Sequence, residues 1–212
     1  MKKFKAIIFD LDGVICHTDN YHYLAWKKLA DELGIDFDEK FNNKFRGVSR
    51  EACLNMLLEK GKVIATKSEK IQFSDLKNLY YKDYLKNMTS KDLSEEVKDT
   101  LDKLKSEGYK MAIGSSSKNV QIILKHLGLS NFFDEIADGN DISKSKPNPE
   151  VFLLAAEKLG YKPEECLVVE DAEAGIEAAV AGGFECAGLG EAAKYVKTTY
   201  PLKQFKDIIT IL

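Results

Sequence analysis

The sequence has 212 residues, of which 44% are hydrophobic and 31% charged, a composition typical of a globular protein and not of a disordered chain. Its 31 basic and 34 acidic residues leave a net charge of −3, so general attraction to nucleic acid or to an anionic membrane is not expected. No stretch approaches the ~20 apolar residues that cross a bilayer, and neither an export signal nor a paired-cysteine motif is apparent, which predicts a cytoplasmic protein with reduced thiols.

The first predicted element is a short β-strand followed by a long helical insertion. Residues 5–9 read KAIIF, a continuous apolar run that is typical of a strand buried on both faces of a parallel sheet. After this strand, apolar residues recur at helical spacing and no convincing strand is found until about residue 87. The spacing predicts one helix over residues 23–33, a second over residues 50–58, and one or two more over residues 68–85.

This insertion is large enough to form a small helical domain of its own. We therefore predict a core domain made of residues 1–15 and 88–212, and a helical cap domain made of residues 16–87. The two connections to the cap must lie close together because the chain leaves and rejoins the same sheet. That arrangement predicts a hinge.

The remainder of the chain alternates between strand and helix patterns. Further apolar runs are found at residues 110–114, 166–169 and, more weakly, 184–189. Each run is followed by a polar or glycine-rich junction. Helical patterns alternate with these runs and cover residues 120–127, 151–159 and 176–180. Alternation of this kind predicts an α/β fold with a doubly wound, mainly parallel sheet, that is, a Rossmann-like core.

Two carboxylates, Asp10 and Asp12, directly follow the first strand in the motif FDLDGV. In open α/β sheets the ligand site lies at the carboxyl ends of the strands. Two ionised acids this close repel each other, so a cation or a shared proton is needed. A Mg²⁺ ion at Asp10, with a proton on Asp12, would resolve the conflict. The alternative is that the pair is only a polar strand end or a helix cap.

Three later junctions carry polar residues at equivalent places. GSSSKN at residues 114–119 offers hydroxyl and backbone N–H groups for a phosphate, although Ser and Asn also act as plain helix caps. Lys146 lies in the proline-restricted turn SKPNP, where it is either a fixed charge beside a phosphoryl group or a solvated surface lysine. Glu170 and Asp171 end a strand, and acids from two strand ends can bind one hard cation.

This order of motifs resembles the haloacid dehalogenase superfamily over essentially the whole chain, including a helical cap after the first strand. The resemblance implies that Asp10 is a nucleophile that forms an aspartyl-phosphate and that Asp12 is the general acid and base. It implies that Ser115 binds the phosphate, that Lys146 neutralises its charge, and that Mg²⁺ is held by Glu170 and Asp171 together with the Asp10 carboxylate and the Asp12 carbonyl.

Within the superfamily, the cap motifs resemble the phosphomutases that interconvert β-glucose 1-phosphate and glucose 6-phosphate through a bisphosphate. The match at GVSRE (residues 47–51) is the most specific, whereas Arg46 stands where the family commonly has Lys, and Cys16 where it often has Thr or a small residue. The resemblance implies a substrate-binding set, with Arg50 on the non-transferring phosphate and Thr18 at the hinge: Thr18, His22, Trp26, Arg46, Gly47, Arg50, Lys77, Ser116, Ser117 and Asn119. We expect a monomer acting on a small sugar phosphate, without nucleic acid or membrane partners.

Other interpretations remain open for these residues. His22 suits an ordinary surface or core histidine, Trp26 suits the packing core of the cap, and Arg50 suits a pair with a nearby acid. Lys77 lies among other lysines on a helix with a solvated face. At the level of function, a sugar-phosphate phosphatase of the same superfamily is the main alternative. A non-catalytic phosphometabolite-binding protein is a more distant one, because Asp10, Asp12 and Lys146 are all retained.

Overall fold

The computed structural model describes residues 3–45 and 48–212, which form two compact units. The first, the core unit, comprises the described residues up to His17 together with Thr89–Leu212. The second, the helical unit, comprises the described part of Thr18–Met88. Arg46 and Gly47, both predicted to bind substrate, lie outside the described residues.

A six-stranded sheet forms the centre of the core unit. Its strands are β1 (Ala6–Phe9), β2 (Lys110–Gly114), β3 (Glu135–Ala137), β4 (Cys166–Glu170), β5 (Glu185–Gly188) and β6 (Tyr200–Pro201). They lie in the order β3-β2-β1-β4-β5-β6, and every neighbouring pair is parallel. The predicted α/β fold is confirmed, and its four predicted strands correspond to β1, β2, β4 and β5.

The strand order places the end of β1 at the point where the direction of strand addition reverses. The chain builds outwards through β2 and β3 on one side of β1, and then through β4, β5 and β6 on the other. Phe9 is in register with Ile113 of β2 and with Val169 of β4, so the three strands end at one edge. In sheets of this order, ligands bind at that edge beside the first strand.

The helical unit contains four α-helices and its own apolar core. The helices are α1 (Asp19–Glu32), α2 (Glu39–Asn42), α3 (Arg50–Lys60) and α4 (Lys67–Leu85). The predicted segment 68–85 is one continuous helix, which begins at a capping box in which Thr66 and Glu69 exchange hydrogen bonds. The apolar core of the helical unit is built from α1, α3 and the segment between them, including Trp26, Leu29, Phe37, Phe45 and Leu57.

Four helices pack in the core unit, namely α5 (Glu95–Ser106), α6 (Val120–His126), α7 (Glu150–Leu159) and α8 (Glu173–Ala181). The last three match the predicted helices within a few residues. Helix α5 was not among the sequence expectations, although its buried residues Val97, Leu101 and Leu104 recur at helical spacing. In the described part of the chain, no helix combines the length and apolar character needed to cross a lipid bilayer.

Candidate active site

The edge of the sheet at which β1, β2 and β4 end brings together residues of the core unit that were predicted to be catalytic or to bind the metal. Asp10 directly follows β1, Ser115 directly follows β2, and Glu170 is the last residue of β4. The backbone N–H of Asp10 donates to the carbonyl oxygen of Val169 at 2.9 Å, which extends the pairing of β1 with β4 to the first acid. Asp10, Ser115 and Glu170 are all buried.

Lys146 reaches this edge from the loop before α7 and joins two of the acids. Its Nζ donates to Asp10 Oδ1 at 2.5 Å and to Glu170 Oε1 at 2.6 Å. The side chains of Lys146 and Asp10 are each 10% exposed, and that of Glu170 is 2% exposed. The expectation of a solvated surface lysine is therefore wrong. Ionic groups buried this deeply contribute little to stability because of the desolvation they suffer, so their convergence indicates a functional site.

The electrostatics of the acids favour a bound cation. Burial raises the pKa of Asp10 well above its usual value, and Glu170 and Asp12 act in the same direction, while Lys146 opposes them. Burial alone would lower the pKa of Lys146, but the carboxylates of Asp10 and Glu170 outweigh it and raise the pKa. Lys146 thus stays charged, but its attraction does not outweigh the combined effect of burial and the neighbouring acids on the pKa of Asp10.

A cluster of three carboxylates has the composition of a site for a hard cation. Within residues 3–45 and 48–212, oxygens of Asp10, Glu170 and Asp171 lie within 4.8 Å of one another. Glu170 Oε2 accepts hydrogen bonds from the backbone N–H groups of Asp171 and Ala172, each at 2.9 Å, which fixes the orientation of that carboxylate. Three of the four predicted metal ligands thus converge; the fourth, Asp12, was predicted through its backbone carbonyl, and its carboxylate is not part of the cluster.

Two glycines make room for these carboxylates. A Cβ atom on Gly13 would lie 2.0 Å from Asp171 Oδ2, and one on Gly175 would lie 1.9 Å from Glu170 Oε1. Gly13 also has a φ of +95°, which residues with side chains rarely adopt. Gly13 belongs to the FDLDGV motif, but its role depends on the distant Asp171, whereas Gly175 lies only five positions after Glu170; neither role was predicted. They indicate that this space is kept for acidic groups.

The loop that carries Asp12 is folded back on itself. Gly13 N–H donates to the carbonyl oxygen of Cys16 at 2.7 Å, and the N–H of Cys16 donates to that of Leu11 at 3.1 Å. Burial raises the pKa of the Cys16 thiol, which is therefore protonated at neutral pH. These bonds restrict the backbone on both sides of Asp12, whose side chain is partly exposed.

The serine-rich loop after β2 is ordered by hydrogen bonds between its own residues. Ser117 N–H donates to Ser115 Oγ at 3.1 Å, and Asn119 N–H donates to Ser117 Oγ at 3.2 Å. Asn119 occupies the position before α6 but forms no side-chain cap there, so it is not a plain helix cap. The Oγ atom of Ser116 is buried and forms no hydrogen bond with the described residues. A buried hydroxyl of this kind is rare without a bound water, ion or ligand.

In the helical unit, the partly buried His22 and the buried Lys77 form a polar pair. Lys77 Nζ lies 2.8 Å from His22 Nδ1, and Lys77 is only 2% exposed. Because an ammonium group can only donate, Nδ1 accepts and the ring proton lies on Nε2. The expectation that Lys77 belongs to a solvated face is wrong.

Aromatic rings surround this pair. Lys77 Nζ lies 4.9 Å from the centroid of the Trp26 ring and 4.8 Å from that of Tyr81, while the His22 ring stacks on Tyr81 with the centroids 4.0 Å apart. Trp26 is 3% exposed and also packs against Phe45, so it belongs to the apolar core of this unit as well as to the lysine's surroundings. Tyr81 was not predicted as part of this group.

The two remaining predicted residues of the helical unit have distinct environments. Arg50 is the first residue of α3 and is partly buried; it makes no ion pair with a carboxylate among the described residues. Burial lowers the pKa of Arg50, while Asp75 acts in the opposite direction. Thr18 directly precedes α1 and is 1% exposed.

The protonation of His22 gives a prediction for stability. Burial, with Lys77 and Arg50 adding to it, lowers the pKa of His22 well below 6.5. Below that pH the unfolded chain binds a proton that the folded chain does not, so the free energy of unfolding should decrease as the pH falls. The expected slope from this residue is up to about 1.4 kcal/mol per pH unit.

Urea unfolding between about pH 7.5 and about pH 5 tests this expectation. In His22→Asn the slope should be smaller than in the unmodified protein, since asparagine does not titrate. His17→Asn, at an exposed histidine outside this pair, is the matched control, and the change of slope in His22→Asn should exceed the change in that variant. Equal slopes for His22→Asn and the unmodified protein would contradict the assignment of a neutral His22.

Comparison with known proteins agrees with this geometry. A family model for haloacid dehalogenase-like hydrolases matches residues 7–189. The chain is 37% identical to the β-phosphoglucomutase of Bacillus subtilis over 206 residues, which is 96% of this chain and 91% of that protein. It is 30% identical to a phosphorylated carbohydrates phosphatase of Thermotoga maritima, covering 85% of this chain and 82% of that one. The crystal structure of β-phosphoglucomutase from Clostridium difficile superposes with a TM-score of 0.88 at 39% identity, covering 97% and 93% of the two chains.

Proposed function

The chain belongs to the haloacid dehalogenase-like hydrolase family, and we propose that it is a phosphomutase that converts β-glucose 1-phosphate to glucose 6-phosphate through the 1,6-bisphosphate. The observation that carries this proposal is the buried Asp10 carboxylate, which contacts Lys146 at 2.5 Å and lies within a cluster of three acids. The identity of 37% to a β-phosphoglucomutase over 96% of the chain supports the mutase over other members of the family.

The metal of the reaction is proposed to be Mg²⁺. The carboxylates of Asp10, Glu170 and Asp171 would hold it, together with the backbone carbonyl of Asp12, and these oxygen donors suit a hard cation. When bound, the ion offsets the negative charge of the nucleophile and of the phosphoryl group.

In the first half of the reaction, a carboxylate oxygen of Asp10 attacks the phosphorus of the 1-phosphate of the 1,6-bisphosphate. The bond from phosphorus to the sugar C1 oxygen breaks, which releases glucose 6-phosphate. Asp12 donates a proton to that oxygen. Lys146 offsets the charge on the phosphoryl oxygens, and the Ser115 hydroxyl donates to one of them. In the second half, the 6-hydroxyl of β-glucose 1-phosphate attacks the aspartyl-phosphate and returns its proton to Asp12, which forms the 1,6-bisphosphate again. The carboxylate of Asp10 is thereby restored.

The residues of the helical unit are proposed to bind the sugar phosphate away from the reacting group. Arg50 binds the non-transferring phosphate. Ser117 and Asn119, in the loop after β2, are proposed as substrate-binding residues of the core unit. A guanidinium can bind a phosphate through two parallel hydrogen bonds. The His22–Lys77 pair contacts the sugar hydroxyls. Binding through a second phosphate retains the intermediate long enough for the sugar, and not water, to accept the phosphoryl group.

Replacing Arg50 tests this division of roles. In Arg50→Ala, kcat/KM for β-glucose 1-phosphate should fall by about 10²-fold, because two charge-assisted hydrogen bonds are lost. Phosphorylation of the enzyme by acetyl phosphate, which has no distal phosphate, should change by less than about 3-fold. Arg50→Lys keeps the charge, so its kcat/KM for β-glucose 1-phosphate should lie between the values of Arg50→Ala and of the unmodified protein. An equal loss with both phosphate donors would place Arg50 outside the distal site.

A phosphatase acting on sugar phosphates is the second candidate, and the Thermotoga maritima relative favours it. Both functions share the aspartyl-phosphate and differ in the group that attacks it. The test is an assay with β-glucose 1-phosphate, Mg²⁺ and a trace of the 1,6-bisphosphate, in which glucose 6-phosphate and inorganic phosphate are measured separately. Glucose 6-phosphate without inorganic phosphate supports the mutase, whereas stoichiometric inorganic phosphate supports the phosphatase.

A further inference from the structure

The environment of Lys146 includes an aromatic ring in addition to the two acids. Its Nζ lies 4.5 Å from the centroid of the Phe152 ring, over the face of the ring. An ammonium group has three N–H donors, and two of those of Lys146 are directed to Asp10 and Glu170. The face of an aromatic ring attracts a cation, and this attraction is strongest where water is excluded. Phe152 is fully buried.

The surrounding residues fix the Phe152 ring in this place. Phe152 lies in the first turn of α7, and its N–H donates to the carbonyl oxygen of Pro149 at 3.0 Å. On one side the ring packs against the backbone of Gly114 in β2, where a Cβ atom would lie 2.7 Å from Phe152 Cδ1. It also packs edge-on against Phe184, with the ring centroids 6.3 Å apart. A ring held by these contacts forms a rigid wall for the lysine.

We propose that Phe152 is a positioning residue for phosphoryl transfer, whose ring face holds the Lys146 ammonium group against Asp10 and Glu170. A lysine side chain is long and flexible, so two carboxylates alone allow its Nζ to move as their own environment changes. With the ring behind it, the ammonium group keeps its place when charge develops on the phosphoryl oxygens. This inference rests on the proposed function, and it assigns a role to a residue that forms no hydrogen bond in the site.

Fluorinated phenylalanines provide the sharpest test because they weaken the attraction of the ring for a cation with little change of shape. Phe152 is replaced site-specifically by its mono-, di- and trifluoro derivatives, and phosphorylation of the enzyme by acetyl phosphate is followed in single turnovers. We expect the rate to fall stepwise with the number of fluorine atoms, by roughly 3- to 30-fold in total. The concentration of acetyl phosphate at half-maximal rate should change by less than about 2-fold, since Lys146 acts on the transition state.

The same series at Phe184 is the matched control. Phe184 is buried and contacts Phe152, and among the described residues no cation lies over its ring. Fluorination there should leave the rate unchanged. A rate that is independent of fluorine number at Phe152, or an equal fall at Phe184, would overturn the proposal.

A second measurement does not depend on activity. In the metal-free protein, the ring current of Phe152 should shift the NMR signals of the Lys146 methylene protons next to Nζ upfield, and Phe152→Leu should abolish that shift. Unshifted signals in the unmodified protein would overturn the contact. If the unmodified protein forms no aspartyl-phosphate, the proposed function fails together with this inference. If the aspartyl-phosphate forms normally but its rate of formation does not depend on the number of fluorine atoms, only the role of Phe152 is excluded.

Discussion

Replacing Asp10 with asparagine should reduce phosphoryl transfer by roughly 10⁴-fold or more, because the amide oxygen cannot act as the nucleophile. The loss should be the same for sugar phosphates and for acetyl phosphate, since every donor depends on the same attacking atom. Steady-state turnover and single-turnover phosphorylation check this expectation. Asp10→Ala is the companion variant, because asparagine can revert to aspartate by slow hydrolysis.

The fold of Asp10→Asn should be retained. Burial and the neighbouring acids raise the pKa of Asp10, so its ionised form is less favourable in the folded chain than in the unfolded chain. Removing that charge should therefore leave the metal-free melting temperature unchanged or higher. Turnover near that of the unmodified protein would exclude Asp10 as the nucleophile. If Asp10→Asn were both inactive and unfolded, the activity of a folded Asp10→Ala variant would decide whether Asp10 is the nucleophile.

Replacing Asp12 should have an effect that depends on the leaving group. In Asp12→Ala, turnover of β-glucose 1-phosphate should fall by about 10²- to 10⁴-fold, because the departing sugar oxygen requires a proton. Acetate leaves without one, so phosphorylation by acetyl phosphate should fall by less than about 3-fold. Asp12→Asn retains the shape of the side chain without the acid and should show the same selectivity.

The ratio of the two rates is the informative quantity for Asp12. Asp12 lies in a loop restricted by the bond from Gly13 N–H to the carbonyl oxygen of Cys16, so a change in loop structure is expected to affect both donors alike. A parallel loss with β-glucose 1-phosphate and acetyl phosphate would therefore indicate a structural role and contradict proton donation.

The central strands of the sheet were predictable because they are buried on both faces. Strands β1 and β4 are continuous apolar runs, and the acids that follow them mark the point at which the buried segment ends. Strands β3 and β6 were not predicted, since three and two residues at the outer positions of the sheet carry too little apolar sequence to form a pattern.

The site residues that sequence reasoning missed or misjudged depend on contacts between distant segments. Lys77 lies on a helix with other lysines, and its burial follows from its contacts with the rings of Trp26 and Tyr81 and with the imidazole of His22. Gly13 is recognised in its motif. The reason for a glycine there is the Asp171 carboxylate, which a Cβ atom at this position would overlap and which is 158 positions away in the chain. Similarly, the position of the Phe152 ring is set by Gly114 and Phe184.

The most direct measurement is the detection of a phosphoryl group on Asp10. The unmodified protein is mixed with acetyl phosphate and Mg²⁺, quenched in acid within one turnover, and reduced with borohydride, which converts an aspartyl-phosphate to homoserine. Peptide mass spectrometry then locates the modified residue. We expect homoserine at position 10 and nowhere else, and none in Asp10→Asn. Modification at another residue, or at none, would contradict the proposed mechanism.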